Sequence, residues 1–247
     1  MFFSEFSILI LSYILIVYLL CGIIKGTIGF GMPTVSISLL IFFIDIKIII
    51  ALILIPTIIV NVYQLSRGGN FKKIFDETKF FLFFSTLFIF PGTYLLNIII
   101  SQYIILFIAF VLLLNSILFL TNIKYTLPNY RSPLIQILIG SVNGVIIGMT
   151  SIYTMPLIFL LQSLKYDKDT TVQFLGIAFF LYPLAQLLSF TNLNLISLEI
   201  AKSSFLTLIP IFLGLYIGQK IRKVISERLF QKSFYYMLLM MSLIIII

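Results

Sequence analysis

Long uninterrupted apolar runs constrain this chain more than any other feature. Ile8 to Ile24, Ile48 to Leu65, Phe80 to Ile100 and Ile104 to Leu120 each approach the ~20 residues that carry a helix across ~30 Å of hydrocarbon. Barrel strands need only ~9–11 residues and alternate polar with apolar side chains, so the runs predict helices. Only 10% of the 247 residues are charged and 61% are hydrophobic, whereas a soluble domain carries about 25% charged residues to cover its surface. The chain is expected to be an all-α polytopic membrane protein. Met1 to Ser7 has Glu5 and no basic residue, unlike the positive start of a cleaved signal peptide, so the first run reads as a retained helix. The single cysteine, Cys21, lies in an apolar run and reads as a small packing residue.

The net charge of +8 does not point to nucleic acid, because the basic residues sit in short clusters between apolar runs. With the loops Arg67–Lys79, Lys124–Arg131, Lys165–Lys168 and Lys220–Lys232 in the cytoplasm, thirteen Lys or Arg are inside. Lys47 and Lys202 are then outside, with Lys25 apart. This arrangement obeys the positive-inside rule and places both termini outside the cytoplasm. It requires Leu134 to Leu164 to be a hairpin of two segments, since a single crossing would turn the Lys220–Lys232 loop outward. By analogy Ile8 to Ile44 is a hairpin turning at Lys25–Pro33. Each half then has five segments, and an odd number makes the second half run opposite to the first, an inverted repeat. The expected architecture is residues 1–121 and 133–247 as two membrane repeats joined by a cytoplasmic linker, 122–132. Eight to ten segments cross, because Thr34–Ile44 and Leu157–Leu164 are short for full spans.

The two turns carry related residues. The first reads Gly22-Ile-Ile-Lys-Gly26-Thr-Ile-Gly29-Phe-Gly31-Met32-Pro33; the second reads Gly144-Val-Ile-Ile-Gly148-Met-Thr-Ser-Ile-Tyr-Thr-Met155-Pro156. Gly-xxx-Gly alone is a close-packing pattern. Gly26, Gly29 and Gly31 crowding before Pro33 do more, because they break a helix and free backbone groups that lipid tolerates only where they line a cavity or lie within protein. Two such breaks at corresponding places point to the binding site of a secondary transporter.

Several stretches resemble one family. Lys25-Gly-Thr-Ile-Gly-Phe-Gly-Met-Pro33, with Ala51-Leu-Ile-Leu-Ile-Pro56 continuing through Asn61, Gln64 and Arg67 to Gly69, is similar to the first half of the sulfite exporter TauE/SafE permeases. Gly214-Leu-Tyr-Ile-Gly218-Gln-Lys-Ile-Arg222, with Phe230 and the last apolar run, resembles the close of that family's second half. Two places depart from the pattern: Thr150–Thr154 stands where further glycines are usual, and Leu96 stands four residues after Gly92. The resemblance implies a multi-pass permease of a bacterial inner membrane that moves small anions, often sulfite or organosulfonates.

The ionisable residues bear on this separately. Glu5, Asp45, Asp76, Glu77, Asp167, Asp169, Glu199 and Glu227 fall in loops or at segment ends, and the chain has no histidine. Cation carriers and proton pumps usually hold such groups inside the membrane, so their positions weigh against cation transport. Lys25 has two readings, an anchor that snorkels to the headgroups or an anion ligand beside the positive end of a helix starting near Pro33.

Asn61 and Gln64 share a face of a helix loosened by Pro56, and the hydroxyls of Thr150, Ser151 and Tyr153 sit in the second turn. Asn115, Asn143, Gln173 and Gln186 read as helix-to-helix hydrogen bonders. The candidate substrate contacts are Lys25, Gly26, Gly29, Gly31, Pro33, Asn61, Gln64, Gly148, Thr150 and Ser151. No catalytic set, metal site or cofactor is expected: the chain lacks a nucleophile with a base and any nucleotide motif. The expected partners are a small anion and the bilayer, not nucleic acid, with a homo-oligomer as one allowed state. A secondary carrier explains the breaks and the charges better than an enzyme or an assembly subunit, and a passive anion channel is its nearest alternative.

Overall fold

The computed structural model describes residues 8–66, 69–122 and 126–247. Glu5, Arg67 and Lys124 of the charge inventory lie outside the described residues, as do Met1 to Ser7 and part of the 122–132 linker. Eleven α-helices and no strand are present among the described residues. They are α1 (Ile8–Ile28), α2 (Met32–Leu40), α3 (Ile46–Leu65), α4 (Phe71–Ile98), α5 (Ser101–Leu120), α6 (Pro133–Thr150), α7 (Leu157–Leu164), α8 (Lys168–Asn192), α9 (Leu198–Leu206), α10 (Leu208–Val224) and α11 (Glu227–Ile246). Seven stretches are long and apolar enough to cross a membrane: α1, α4, α5, α6, Asp169–Asn192 of α8, Leu198–Val224 across α9 and α10, and Arg228–Ile246 of α11. Ile46–Val62 is a shorter apolar helix. The protein is thus a multi-pass membrane protein.

Helix α4 starts nine residues before its apolar run, at Phe71 rather than Phe80. The polar stem Lys72–Lys79 satisfies its backbone within the helix, which needs no apolar side chain, and this explains why hydropathy alone misplaces the boundary.

Two compact units make up the chain. The first takes in the chain up to Pro56, Ser101–Asn122 and Asn194–Ile247, and the second takes in Thr57–Ile100 and Ile123–Leu193. Each unit draws on both halves of the sequence.

In the first unit α1 and α10 run parallel. Gly22 lies against Ile211 and Gly214, and Gly26, one turn on, lies against Leu215 and Gly218. A Cβ on Gly22 would overlap the Ile211 carbonyl oxygen, and one on Gly214 would overlap the Leu19 carbonyl oxygen. These backbones touch directly, as small-xxx-small pairs allow. Helix α2 doubles back on α1: the Cys21 thiol donates to Met32 O (3.4 Å), and the Tyr13 hydroxyl donates to Leu39 O (2.8 Å). Pro56 has no N–H for the Leu52 carbonyl one turn earlier. The Ser204 hydroxyl of α9 donates to Leu52 O instead, at 2.7 Å. A side chain 152 positions away thereby meets the carbonyl that the proline leaves open, one of the ways a membrane helix tolerates proline.

The second unit repeats the theme. Helices α4 and α6 run parallel, with Gly140 against Phe81, Gly144 against Ser85 and Gly148 against Ile89 and Gly92. Helix α7 reverses direction after α6. At its start Leu157 N–H donates to Asn143 Oδ1 (3.2 Å), level with the middle of α6, and at its end Ser163 Oγ accepts from Leu127 N–H (2.8 Å), before α6 begins. Leu134 to Leu164 therefore leaves and returns to one end of the unit. The starts of α4 and α8 meet at that same end, where Asn70 N–H donates to Gln173 Oε1 (2.8 Å) and the Asn70 amide donates to the Thr170 hydroxyl (2.9 Å).

Candidate functional site

In the first unit α1 stops at Ile28 and α2 starts at Met32. Gly29 (φ 88°) and Gly31 (φ 96°) lie in the left-handed region between them, a conformation that costs glycine nothing and an L side chain about 1–2 kcal/mol. Pro33 occupies the first turn of α2, where its missing N–H is no loss. The first bond of the α2 ladder runs from Val35 N–H to Gly31 O (3.0 Å), so the N–H groups of Met32 and Thr34 precede it. Gly31, the N-cap residue, has no side chain to cap them. The start of α2 is thus an uncapped helix end inside the protein, with its dipole positive there.

Lys25 stands at the same break. It is 6% exposed, and its ammonium donates to Gly29 O at 2.7 Å. A cation in this position complements the closing turn of α1. Burial sets it apart from a lysine spread into the headgroups. Gly26 is a packing residue: a Cβ there would lie 2.6 Å from Leu215 O. The next residue, Thr27, donates to Gly218 O (3.2 Å) and fixes the same seam. A Cβ on Gly29 would meet nothing within 4 Å. Phe30, between the two left-handed glycines, packs edge-on to Phe234 of α11, with centroids 6.2 Å apart.

The break of the second unit has different chemistry. Helix α6 ends at Thr150, and Ser151 takes the left-handed conformation (φ 53°). The Thr150 hydroxyl donates to Ile146 O (2.7 Å) and accepts from Ile152 N–H (3.1 Å). Ser151 Oγ donates to Gln186 Oε1 (2.8 Å), and the Gln186 amide donates to Gly148 O (3.2 Å) and Ile147 O (3.4 Å). Gln186 of α8 therefore closes the carbonyl end of α6.

At the start of α7 the Leu157, Ile158 and Phe159 N–H groups reach Asn143 Oδ1, Thr154 O and Pro156 O. The Asn143 amide donates to Ser85 Oγ (3.2 Å) and the Tyr182 hydroxyl (3.3 Å). This break is held together by neutral side chains that consume its backbone groups. Two buried hydroxyls beside it, Thr93 and Tyr153, have no hydrogen-bond partner. A Cβ on Gly148 would lie 2.6 Å from Thr93 N.

Of the ten residues singled out in the sequence, Lys25, Gly26, Gly29, Gly31 and Pro33 belong to the first unit. Asn61, Gln64, Gly148, Thr150 and Ser151 belong to the second. Within the second unit, Thr150, Ser151 and Gly148 gather at the break. The Asn61 amide donates to Thr57 O (2.7 Å) one turn back, and the Gln64 amide donates to Val172 O of α8 (3.3 Å). Both hydrogen bonds hold α3, at its own backbone and against α8. Sequence reasoning gave Gln186 and Asn143 no role beyond helix bonding and passed over Thr93. Gln186 follows Pro183 within one turn, as Asn61 follows Pro56 within two, and that was the available signal. A threonine within an apolar run carries none. Among the described residues no group of three or more His, Cys, Asp or Glu side chains could hold a metal ion.

Comparison with known proteins bears on the whole chain. No curated protein and no solved structure matches it. The sequence profile of the family described as "Sulfite exporter TauE/SafE" matches residues 14–245. That match runs from within α1 to within α11 and covers both breaks, and with seven apolar stretches long enough to cross a bilayer it makes this chain a member of the sulfite exporter TauE/SafE family of membrane transporters.

Proposed function

We propose that the protein is a secondary permease that carries small anions, sulfur oxyanions such as sulfite or organosulfonates, across a bacterial inner membrane. One observation carries this reading: the first unit's break joins an uncapped start of α2 to the buried ammonium of Lys25. Backbone N–H groups at a helix start and a nearby cation suit an oxyanion and repel a metal cation. Gly29, with open space beside it, leaves room for that anion. Transport is proposed to need no cofactor, no catalysis and no nucleic acid, and self-association is compatible with it.

The proposed frame is two inverted repeats, 1–121 and 133–247, with eight to ten crossings. Support comes from packing within each unit. The α1–α10 and α6–α4 pairs are both parallel and both close on glycines, and α2 and α7 each double back on the preceding helix. Such an exchange, in which each broken hairpin packs on a helix of the other half, is what repeats related by a pseudo-twofold axis produce.

Two measurements test the proposal. Proteoliposomes loaded with unlabelled sulfite are expected to take up labelled sulfite by counterflow, with saturating rates. Flux that never saturates and shows no counterflow would make the protein a channel. A reporter fused at the C-terminus is expected to read out on the non-cytoplasmic side, and one placed within 72–79 on the cytoplasmic side. A cytoplasmic C-terminus would overturn the inverted frame.

A further inference from the structure

The second unit has a charged cleft that none of the transport chemistry uses. It holds about 200 Å³ and is lined by Asp76, Glu77, Phe80, Arg131 and Gln136. Its walls are fixed by hydrogen bonds. The Gln136 side chain is 3% exposed; its amide donates to Glu77 O (2.7 Å) and Tyr130 O (3.2 Å), and its oxygen accepts from Phe81 N–H (3.3 Å). The Arg131 guanidinium stands 3.6 Å from the Glu77 carboxylate and remains largely exposed. The cleft thus presents two carboxylates and one guanidinium, with the Phe80 ring among its walls. A dipolar ligand matches this set better than a simple cation or anion does: the carboxylates take an ammonium with N–H donors, and the guanidinium takes a phosphate bidentately.

Location selects the source of that ligand. The cleft sits where the polar stem of α4 gives way to its apolar length, beside the first turn of α6. Further along the two helices Leu134, Leu138 and Val142 of α6 and Phe83 and Leu87 of α4 are exposed, as lipid-facing side chains are. Both helices that wall the cleft continue into these apolar lengths, and Phe80 is an apolar side chain of the cleft itself.

We propose that this cleft is a binding site for an aminophospholipid headgroup of the phosphatidylethanolamine type. Its primary ammonium sits between Asp76 and Glu77, and its phosphate sits on Arg131. Phosphatidylcholine has no N–H donor for the carboxylates, and phosphatidylglycerol has no cation at all, so both bind less well. Nothing in this site depends on the transport reading.

Native mass spectrometry of the purified full-length protein, exchanged with vesicles of phosphatidylethanolamine, phosphatidylcholine or phosphatidylglycerol, is the test. Wild type is expected to retain phosphatidylethanolamine roughly tenfold over the other two. Asp76→Asn with Glu77→Gln should reduce that lipid to the level of phosphatidylcholine. Arg131→Gln should weaken retention of both zwitterionic lipids, and Lys220→Gln in the first unit should change nothing. Asp76 is exposed and its replacement is isosteric, so that single variant keeps the test valid if the double variant folds poorly. Equal retention of the three lipids, preference for phosphatidylglycerol, or an Asp76→Asn variant that behaves like wild type would overturn the assignment. Equal retention of water-soluble phosphoethanolamine in the same measurement would overturn the choice of a lipid.

Discussion

Lys25→Gln is expected to raise the apparent Michaelis constant for sulfite or a simple sulfonate by roughly ten- to a hundredfold in proteoliposomes at matched incorporation. That range corresponds to ~1.5–3 kcal/mol for a charge-assisted hydrogen bond lost from a partly dehydrated site. The structure adds a second role to be separated from the first. The ammonium donates to Gly29 O and so helps close α1, a contribution of about 0.3–1 kcal/mol for a cation at a helix C-terminus. Losing that contribution lowers thermal stability without altering affinity, so melting and transport are measured on the same preparations. Lys25→Arg should also transport poorly. The planar fork cannot reproduce an ammonium donating to Gly29 O, although the charge is kept. An unchanged Michaelis constant in Lys25→Gln would leave Lys25 as a helix cap only. The anion contacts would then be sought at the Met32 and Thr34 N–H groups, which precede the first bond of the α2 ladder.

Glycine substitutions should divide into two classes with opposite phenotypes. Gly22→Val, Gly144→Val and Gly214→Val place a branched side chain where even a Cβ overlaps a carbonyl oxygen of the neighbouring helix. Backbone cannot move aside as a flexible side chain can. The parallel helices must separate along the seam, at a cost above the ~1–3 kcal/mol usual for overpacking. These variants are expected to be degraded or to elute as aggregates.

Gly29→Leu is expected to insert and purify normally, because the space beside it is open and the left-handed φ costs only about 1–2 kcal/mol. It should lose transport, since leucine fills the space next to Lys25 and the start of α2. Gly31→Leu should follow Gly29→Leu in losing transport with less tolerance, as Phe234 lies 3.1 Å from the added Cβ. Size-exclusion profiles alongside uptake rates make the distinction. Normal uptake by Gly29→Leu would remove the break from the site, and a well-behaved Gly144→Val would show that the α4–α6 seam is looser than its geometry.

Much of the architecture was determined by the sequence itself, because the bilayer leaves a chain few choices. A backbone in hydrocarbon must satisfy its own hydrogen bonds, so the apolar runs had to be helices. Where Gly29, Gly31 and Pro33 or Ser151 and Pro156 interrupt a run, the ladder has to stop. Lys25 was legible as unusual for the same reason, being a charge inside a helix-breaking motif. Partner choice was decided only in three dimensions. Membrane helices lack the polar and apolar faces that reveal packing in soluble bundles, and the residues that meet are far apart in sequence, as Thr27 and Gly218 or Ser204 and Leu52 are.

Only the tertiary structure, for the same reason, separates Gly26 from Gly29: one lies against the backbone of another helix and the other lies beside open space. It also decides that the two breaks, similar as strings of residues, differ chemically. Gln186 and Asn143 reach the second break from elsewhere in the fold and consume its backbone groups. The start of α2 keeps its first N–H groups without a side-chain cap. A motif specifies where a helix breaks; the neighbours that the fold brings to that break determine which of its backbone groups remain to meet a ligand.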